Sequence, residues 1–389
     1  MTERVALYSA VDDELTHYDV DVDGTSLTKR ATVKVPSNVQ YAWPHPSRRF
    51  LYVATSNRGP GLKSDSNHLS AWRIDPQSGA LSPHGAAQPL PMRAVHICVS
   101  PCGGFVLSGH NLPKSGVTVH PIHNDGTLGP AVTQPHAIDC GPYPHQVRMT
   151  PSGRTTIVVD RGNAPHDGKA GDPGALRLFR FNNGVHEPLA VIAPDGGRHF
   201  GIRHLDFHPT QPWVYISLEI QSVLNMFRMN GETLESQAAY VHDLLADRAN
   251  VKARQMAGTV HVHPSGKYVY FANRADGTTD YQGQPVFNGG ENSIAAFAIN
   301  PQSGEPTLIQ HADTHNYHVR TFCFDPSGKM MVAASIKQMQ VHKDDTVLTV
   351  PAAMSVFKVG DDGRLMFVRR YDVEHGERTQ YWVGMVGLP

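Results

Sequence analysis

The sequence predicts an all-β protein, a seven-bladed β-propeller with four-stranded antiparallel blades and one blade closed by strands from the N- and C-terminal ends of the chain. Three observations predict this fold: a short phrase that recurs along the chain, a pair of hairpins in each repeat, and complementary strands at the two termini. The predicted domain organisation is therefore a single propeller over residues 1–389.

The recurring phrase is a turn of the X-Pro-Ser-Gly type followed by β-branched and aromatic residues. It begins at His45, Ser100, Thr150, His208, His263 and Asp325. The starts are separated by 55, 50, 58, 55 and 62 residues, with a mean of 56, and the chain of 389 residues is close to seven such units long. Proline presets φ and glycine accepts a positive φ, so each phrase predicts a β-hairpin.

A second, weaker hairpin follows the phrase in most units. The stretch Ser70–Leu81 matches Ala295–Gly304, and Val117–Leu128 and Met354–Leu365 show the same strand-turn-strand pattern. Two hairpins supply four strands per unit, and the chain has almost no helical periodicity. Four strands repeated about seven times are typical of a β-propeller.

The two ends of the chain predict how the ring closes. Residues Gln380–Val386 indicate an inner strand at which the chain then ends, and Arg4–Val11 indicates the strand that should come next. We expect both ends to complete one blade, because this hides two strand edges that would otherwise promote association.

The composition of the chain limits the classes of partner that the protein is expected to bind. The net charge is −1, no basic stripe is visible, and no Ser/Gly linker or charge block divides the chain. Nucleic acid and anionic membranes are therefore not expected as partners. The N-terminus lacks an apolar signal region and no apolar run reaches membrane-spanning length, which predicts a cytoplasmic protein. No cofactor or metal is expected, and the sequence leaves the oligomeric state open.

The repeat places two positions of each unit at one mouth of the central channel. Five residues before each phrase stand Gln40, Val95, His145, Arg203, Gly258 and Arg320. Antiparallel register through the turn is expected to pair this position with the one ten residues after the phrase start, so that the next position lies beside it at the rim. That rim position holds Ser56, Asn111, Arg161, Glu219, Arg274 and Ile336.

Many of these side chains are charged, and four arginines with a histidine and a carboxylate suit a small anionic substrate. Predicted catalytic residues are His145, Glu219, Arg203 and Arg274; predicted substrate-binding residues are Arg320, Arg161, His204, His110 and Asp160. The alternative is that charged strand ends form salt bridges between blades, and Asp160 could equally cap a turn. A metal site made by His96, His110 and His145 is not favoured, because no carboxylate partner is evident at matched positions.

Several blocks of sequence resemble a known family. Phe271–Arg274, followed by Glu291–Phe297, resembles a stretch of the seven-bladed propeller lactonases, the family of propeller-type 6-phosphogluconolactonases and carboxy-cis,cis-muconate lactonizing enzymes. Pro144–Val147, Arg203–Pro209 and Leu218–Glu219 are similar to further blocks of that family. The resemblance covers nearly the whole chain and implies the propeller fold.

The resemblance also implies site residues. The active residues proposed for the family fall on His145, Arg203, Glu219 and Arg274 of this chain. Three blocks depart from the family pattern: Ser108–His110, Ala333–Ser335 and Gly258–Thr259. Insertions at 163–173 and 275–290 lengthen loops at the rim, so the pocket could accept a different substrate.

These observations predict a metal-independent lactonase that hydrolyses a small lactone carrying a carboxylate or a phosphate. Arg203 and Arg274 would hold the anion or stabilise the oxyanion, and Glu219 or His145 would take a proton from water. The alternatives are a muconate-type cycloisomerase acting on a diacid with the same arginines, and a non-catalytic propeller that serves as a binding platform. A third alternative is a metal-dependent lactonase of another propeller type.

Overall fold

Antiparallel sheets arranged in a ring make up the fold in this computed structural model, which describes residues 3–165, 168, 170–374 and 376–389. In the first half of the chain the strands are β1 (Val5–Val11), β2 (Glu14–Asp21), β3 (Ser26–Lys34), β4 (Asn38–Pro44), β5 (Phe50–Ser56), β6 (Asn67–Ile74), β7 (Leu81–Pro83), β8 (Gln88–Pro89), β9 (Ala94–Val99), β10 (Phe105–His110), β11 (Gly116–Pro121), β12 (Pro144–Met149), β13 (Thr155–Asp160), β14 (Ala175–Asn182) and β15 (Val185–Ile192). In the second half they are β16 (Ile202–Phe207), β17 (Trp213–Leu218), β18 (Val223–Asn230), β19 (Thr233–Leu234), β20 (Tyr240–Asp243), β21 (Gln255–Val262), β22 (Tyr268–Ala275), β23 (Thr278–Tyr281), β24 (Gln284–Phe287), β25 (Ser293–Ile299), β26 (Pro306–Asp313), β27 (Val319–Phe324), β28 (Met330–Ser335), β29 (Met339–Lys343), β30 (Thr346–Val350), β31 (Ala353–Val359), β32 (Leu365–Asp372) and β33 (Gln380–Gly387). Two short 3-10 helices lie at Pro194–Gly197 and Arg248–Asn250.

The sheets are seven blades within the described residues, which confirms the predicted propeller. Blade 1 has the order β3-β2-β1-β33, so the last strand of the chain is its innermost strand and both termini close it, as predicted. Blades 2 to 7 begin with the inner strands β4, β9, β12, β16, β21 and β27. These inner strands contact each other in sequence, and β27 and β4 both contact β33, which completes the ring.

Three features depart from regular four-stranded blades. In blades 2 and 5 two short strands share the outer position: β7 and β8 both pair with β6, and β19 and β20 both pair with β18. Blade 3 has three regular strands, and its outer position is taken by an irregular segment in which Val132 donates its backbone N–H to the Val119 carbonyl. This segment contains Pro130 and Pro135, which cannot donate to a strand ladder. Blades 6 and 7 each carry an added hairpin, β23–β24 and β29–β30, and these two hairpins contact each other. In the described part of the chain, no helix is both long and apolar enough to cross a membrane.

The repeated residues bind each blade to the next one. The phrase histidines His45, His208 and His263 direct Nε2 to the carbonyls of Gly103, Gly266 and Gly328 in the following blade, at 3.0, 2.8 and 2.9 Å. In the same way, the second-strand tyrosines Tyr8, Tyr52, Tyr215 and Tyr270 donate their hydroxyls to the carbonyls of Gly79, Gly126, Gly304 and Gly363, at 2.7 to 2.9 Å. The sequence repeat is therefore also a repeat of contacts between blades.

Replacing Tyr270 by phenylalanine is expected to lower the free energy of unfolding by about 1–3 kcal/mol, because the Gly363 carbonyl loses a buried hydrogen bond. Chemical denaturation of both proteins measures the difference. Tyr281→Phe is the matched control, since the Tyr281 hydroxyl makes no hydrogen bond within the described residues. Equal losses in the two variants would contradict this role for the tyrosine.

Every inner strand within the described residues carries one extra residue, a β-bulge, close to the end where the strand enters the ring. The extra residue lies at Tyr381, Gln40, Val95, His145, Arg203, Gly258–Thr259 and Arg320. A bulge leaves its residue unpaired and redirects the side chain. The register expected from the sequence is therefore wrong at this position: Ile202 pairs with Leu218 and His204 with Ser217, so Arg203 has no partner across the ladder.

Candidate active site

The candidate site is built around Glu219, which directly follows β17 and is buried. Its Oε1 accepts hydrogen bonds from Arg203, at 2.7 Å, and from Arg274. Its Oε2 accepts a hydrogen bond from Arg161 at 2.9 Å. One carboxylate thus joins arginines from three neighbouring blades.

These four residues are among those that the repeat selected at the mouth. Arg203 stands at the bulge of β16, Arg161 directly follows β13, and Arg274 lies near the end of β22. The bulge on the inner strand and the end of the adjacent strand therefore supply the cluster. Salt bridges between blades, the alternative interpretation, are also present here, since Arg161 and Arg274 pair with Glu219 from the blades on either side of it.

The protonation state of Glu219 follows from these neighbours. Burial raises its pKa, but Arg203 and Arg274 outweigh burial and hold the pKa of this carboxyl well below its usual range. Glu219 is consequently an anion near neutral pH, and it is a weak base.

His145 stands at the bulge of β12 and receives a hydrogen bond from Arg203, whose Nη1 lies 3.0 Å from Nε2. A guanidinium can only donate, so His145 Nε2 accepts and the ring proton lies on Nδ1. Burial, followed by the charge of Arg203, lowers the pKa of His145 well below 6.5. The imidazole is therefore neutral.

Arg274 has the same arrangement on the other side of Glu219. Its Nη1 donates to Nε2 of His318 at 2.6 Å, and Nδ1 of His318 lies 3.1 Å from Asp276 Oδ2. Arg254 holds the Asp276 carboxylate with two hydrogen bonds, at 2.7 and 2.8 Å. Burial lowers the pKa of His318 to about 4, although Asp276 acts against this shift. Two guanidinium groups thus each bridge the carboxylate and a neutral imidazole.

His204 lies next to this cluster, and its ring stacks edge-on against His145 and His96, with centroids 5.3 and 5.5 Å apart. Burial and Arg203 lower the pKa of His204 well below 6.5, so this ring is also neutral. Thr259, from the bulge of β21, lies 3.3 Å from its Nδ1.

Two residues predicted to bind substrate have their polar atoms engaged elsewhere. Asp160 is fully buried and accepts hydrogen bonds from the backbone of Tyr143 and Gly162 and from Arg177. His110 is also fully buried; its Nδ1 lies 3.2 Å from the Arg93 carbonyl and its Nε2 lies 2.9 Å from Thr118 Oγ1. These contacts occupy the polar atoms of both residues, and a role of Asp160 and His110 in substrate binding stays a prediction.

Arg320 stands at the bulge of β27, and its guanidinium lies over the ring of Tyr381 at 4.0 Å from the centroid. Tyr381 occupies the equivalent bulge in blade 1, and Arg93 directly precedes β9. The repeat phrase did not select Tyr381 or Arg93. Blade 1 lacks the phrase. Tyr381 nevertheless lies within the inner strand that the sequence predicts at Gln380–Val386, so its place in the ring could have been inferred from that strand.

The described residues contain no group of three or more His, Cys, Asp or Glu side chains arranged to hold a metal ion. The positive charge at the mouth comes from guanidinium groups, each of which can donate hydrogen bonds to an oxyanion.

The chain is similar to several known proteins. The family model for "Lactonase, 7-bladed beta-propeller" matches residues 5–343. The 6-phosphogluconolactonase of Klebsiella pneumoniae subsp. pneumoniae is 25% identical over 382 residues, 97% of each chain, and that of Bacillus subtilis is 24% identical over 332 residues, 82% of this chain and 83% of the other. The solved structure of the periplasmic gluconolactonase of Pseudomonas aeruginosa superposes with a TM-score of 0.73 at 20% identity, covering 99% of this chain and 100% of that one.

Proposed function

This chain belongs to the seven-bladed β-propeller lactonase family, and on that basis we propose that it hydrolyses a small anionic lactone of the sugar type, without a metal ion, at the mouth of the central channel. The observation that carries the proposal is the sharing of the Glu219 carboxylate by Arg161, Arg203 and Arg274 beside the neutral His145. The names of the relatives support lactone hydrolysis as the reaction.

The arginines would stabilise the charge that forms during the reaction. When water attacks a lactone carbonyl, the carbonyl oxygen becomes an oxyanion. Arg203 and Arg274 both have buried guanidinium groups already held in place by Glu219, so they need little reorganisation to donate to that oxygen. The interaction is stronger with the oxyanion than with the carbonyl of the substrate, which is the condition for catalysis.

His145 is the better placed proton acceptor, because Glu219 is a weak base. Nε of Arg203 has no hydrogen-bond partner among the described residues, so it can donate to the oxyanion while Nη1 stays on Glu219. Once the hydrogen bond from Nη1 to His145 breaks, Nε2 of His145 can take a proton from the attacking water. The oxygen of that water then forms the new bond to the carbonyl carbon. Collapse of the tetrahedral intermediate breaks the ring C–O bond, and the proton on His145 passes to the leaving alkoxide.

The proposal is tested by following sugar lactones, phosphorylated sugar lactones and muconate-type diacids by NMR, with and without exhaustive chelation. We expect faster opening of an anionic sugar lactone than in the absence of protein, and no loss of rate after chelation. Closure of a diacid with no opening of any lactone would contradict hydrolysis, and loss of activity on chelation would contradict the metal-independent mechanism.

The pH dependence follows from the state of His145. An imidazole must be neutral to accept a proton, and the pKa of His145 is held well below 6.5 by burial and Arg203. The value of kcat/KM, corrected for spontaneous opening, should therefore be flat between about pH 6 and 8 and fall only at lower pH. Arg161→Met removes a cation that lowers this pKa, so its acid limb should move to higher pH. An inflection of the wild type at an ordinary histidine pKa would contradict the role of His145.

A further inference from the structure

Arg274 is held at all three nitrogen atoms of its guanidinium group. Nη2 donates to Glu219, Nη1 donates to Nε2 of His318 at 2.6 Å, and Nε donates to the carbonyl of Ala257 at 3.4 Å. A guanidinium has five N–H groups, so these contacts with the described residues leave one N–H on each Nη atom. The direction in which those two donors point depends on the partners that fix the plane of the guanidinium, and His318 is one of these partners.

Asp276 determines which ring nitrogen of His318 carries the proton. Burial lowers the pKa of His318 to about 4, with Asp276 acting to raise it, so the ring has a single proton near neutral pH. Nδ1 of His318 lies 3.1 Å from Asp276 Oδ2, and Arg254 donates two hydrogen bonds to the same carboxylate. Burial raises the pKa of Asp276, but hydrogen bonds from His318 and Arg254 outweigh burial and lower it below its usual value. An ionised carboxylate can only accept, so these partners assign the ring proton to Nδ1 and leave Nε2 as an acceptor for Arg274.

The backbone of His318 is held in an unusual conformation. Its φ of 50° lies in the left-handed region, which is unfavourable for a residue with a side chain. The N–H of His318 donates to Asn292 Oδ1 at 2.7 Å, and the same oxygen accepts the N–H of Ala275 at 3.0 Å. One amide side chain thus ties His318, in blade 7, to the end of β22 in blade 6, which carries Arg274. Conformations of this kind persist where surrounding contacts hold them, and they are frequent at functional sites.

His318 differs in this respect from His145, the histidine that accepts from Arg203. The Nε2 atoms of both rings accept from an arginine, but the ring of His145 makes no salt bridge with a carboxylate among the described residues. A carboxylate behind an imidazole holds the ring in one tautomer and one orientation. The contacts of His318 therefore suit a fixed acceptor, whereas those of His145 leave it able to exchange a proton.

We propose that His318 is a positioning residue that holds Arg274 in place as a donor to the oxyanion, and that Asp276 acts through His318 by keeping its Nε2 free to accept. This role rests on the proposed lactone hydrolysis. It extends the Glu219 cluster, which draws on blades 4 to 6, into blade 7. His318 acts through Arg274 and not by contact with the substrate, so its loss should lower kcat and leave KM nearly unchanged.

The test is whether a hydrogen-bond acceptor alone restores the role of His318. In His318→Gln the amide offers one acceptor and one donor group, as a neutral imidazole does, whereas His318→Leu offers neither. We expect kcat for lactone opening to fall by about 10- to 100-fold in His318→Leu, because Arg274 is misplaced, and His318→Gln to retain most of the wild-type kcat. His186→Leu is the matched control, because His186 is as buried as His318, at 6% exposure, but lies in the outer strand of blade 4. It should keep wild-type kinetics.

Nitrogen NMR of the histidine rings tests the tautomer without using activity. The signals of His318 are those that disappear in His318→Gln. We expect the wild type to carry the ring proton on Nδ1 near neutral pH, and Asp276→Ala to carry part of it on Nε2.

The outcomes separate the positioning role from the reaction. A wild-type His318 with its proton on Nε2 would overturn the proposal. So would equal kcat per folded molecule in the wild type and His318→Leu, or in His318→Gln and His318→Leu, and the proposed hydrolysis would stand in these cases. A wild type that opens no lactone would instead contradict the hydrolysis.

Discussion

Replacing Glu219 by glutamine is expected to lower kcat by about 10²–10³-fold without raising KM. The carboxylate sets the positions of Arg161, Arg203 and Arg274, and an amide offers one acceptor oxygen where three guanidinium groups now bind two. The arginines would lose the geometry that stabilises the oxyanion. The extra positive charge would still attract an anionic substrate, so KM should stay the same or fall.

Initial rates over a range of substrate concentrations separate kcat from KM for this variant. Glu232→Gln is the matched control, because Glu232 lies on the outer part of blade 5, where it accepts hydrogen bonds from Arg154 and Thr155 of blade 4 and is remote from the Glu219 cluster. It should keep wild-type kinetics. A Glu219→Gln protein with nearly wild-type kcat would show that the cluster only ties blades together.

Replacing Arg203 by methionine is expected to lower kcat/KM by about 10²–10³-fold, the effect of removing a preorganised donor to an oxyanion. This guanidinium is the link between Glu219 and His145, since a single nitrogen lies within hydrogen-bonding distance of both. Arg203→Lys should recover little of the activity, because an ammonium group cannot present the planar pair of donors.

Two measurements distinguish catalysis from structural support in the Arg203 variants. Exogenous guanidinium ion, at concentrations that do not unfold the protein, should restore part of the activity of Arg203→Met and have no such effect on the wild type. Arg154→Met removes an exposed arginine from blade 4 and should behave as wild type in both respects. If Arg203→Met is less stable but has wild-type kcat/KM per folded molecule, the oxyanion role is wrong.

The repeat predicted which residues stand at the mouth end of the inner two strands of each blade. It could do so because each phrase forms the same turn and the strands on either side of it have similar lengths in every blade. His145, Arg203, Glu219 and Arg274 come together at the mouth on this account alone. The charge pattern at matched positions could therefore be found without knowledge of the structure.

The expected register failed because a bulge has no distinct sequence signature in this chain. The seven bulge positions hold tyrosine, glutamine, valine, histidine, glycine and arginine, so no shared residue type marks them. The hydrogen bonds of Asp160 to Arg177 and of His110 to Thr118 run to the neighbouring strand of the same blade, and the repeat spacing alone does not specify such side-chain contacts.

Tyr381 and Arg93 were missed for two different reasons. Tyr381 lies in the one blade without the repeated phrase, and it becomes equivalent to Arg203 and Arg320 only once the C-terminal strand is placed innermost. Arg93 lies one residue before its strand and reaches the mouth through contacts with Gln40 and His110.

The most direct test of lactone hydrolysis at this mouth is the opening of an anionic sugar lactone in heavy-oxygen water, followed by mass spectrometry of the acid formed. The proposed mechanism predicts one solvent oxygen in the new carboxylate, formed by the wild type well above the spontaneous rate and by Glu219→Gln close to it. A product that forms enzymatically without solvent oxygen, or opening no faster with the wild-type protein than without it, would contradict that mechanism.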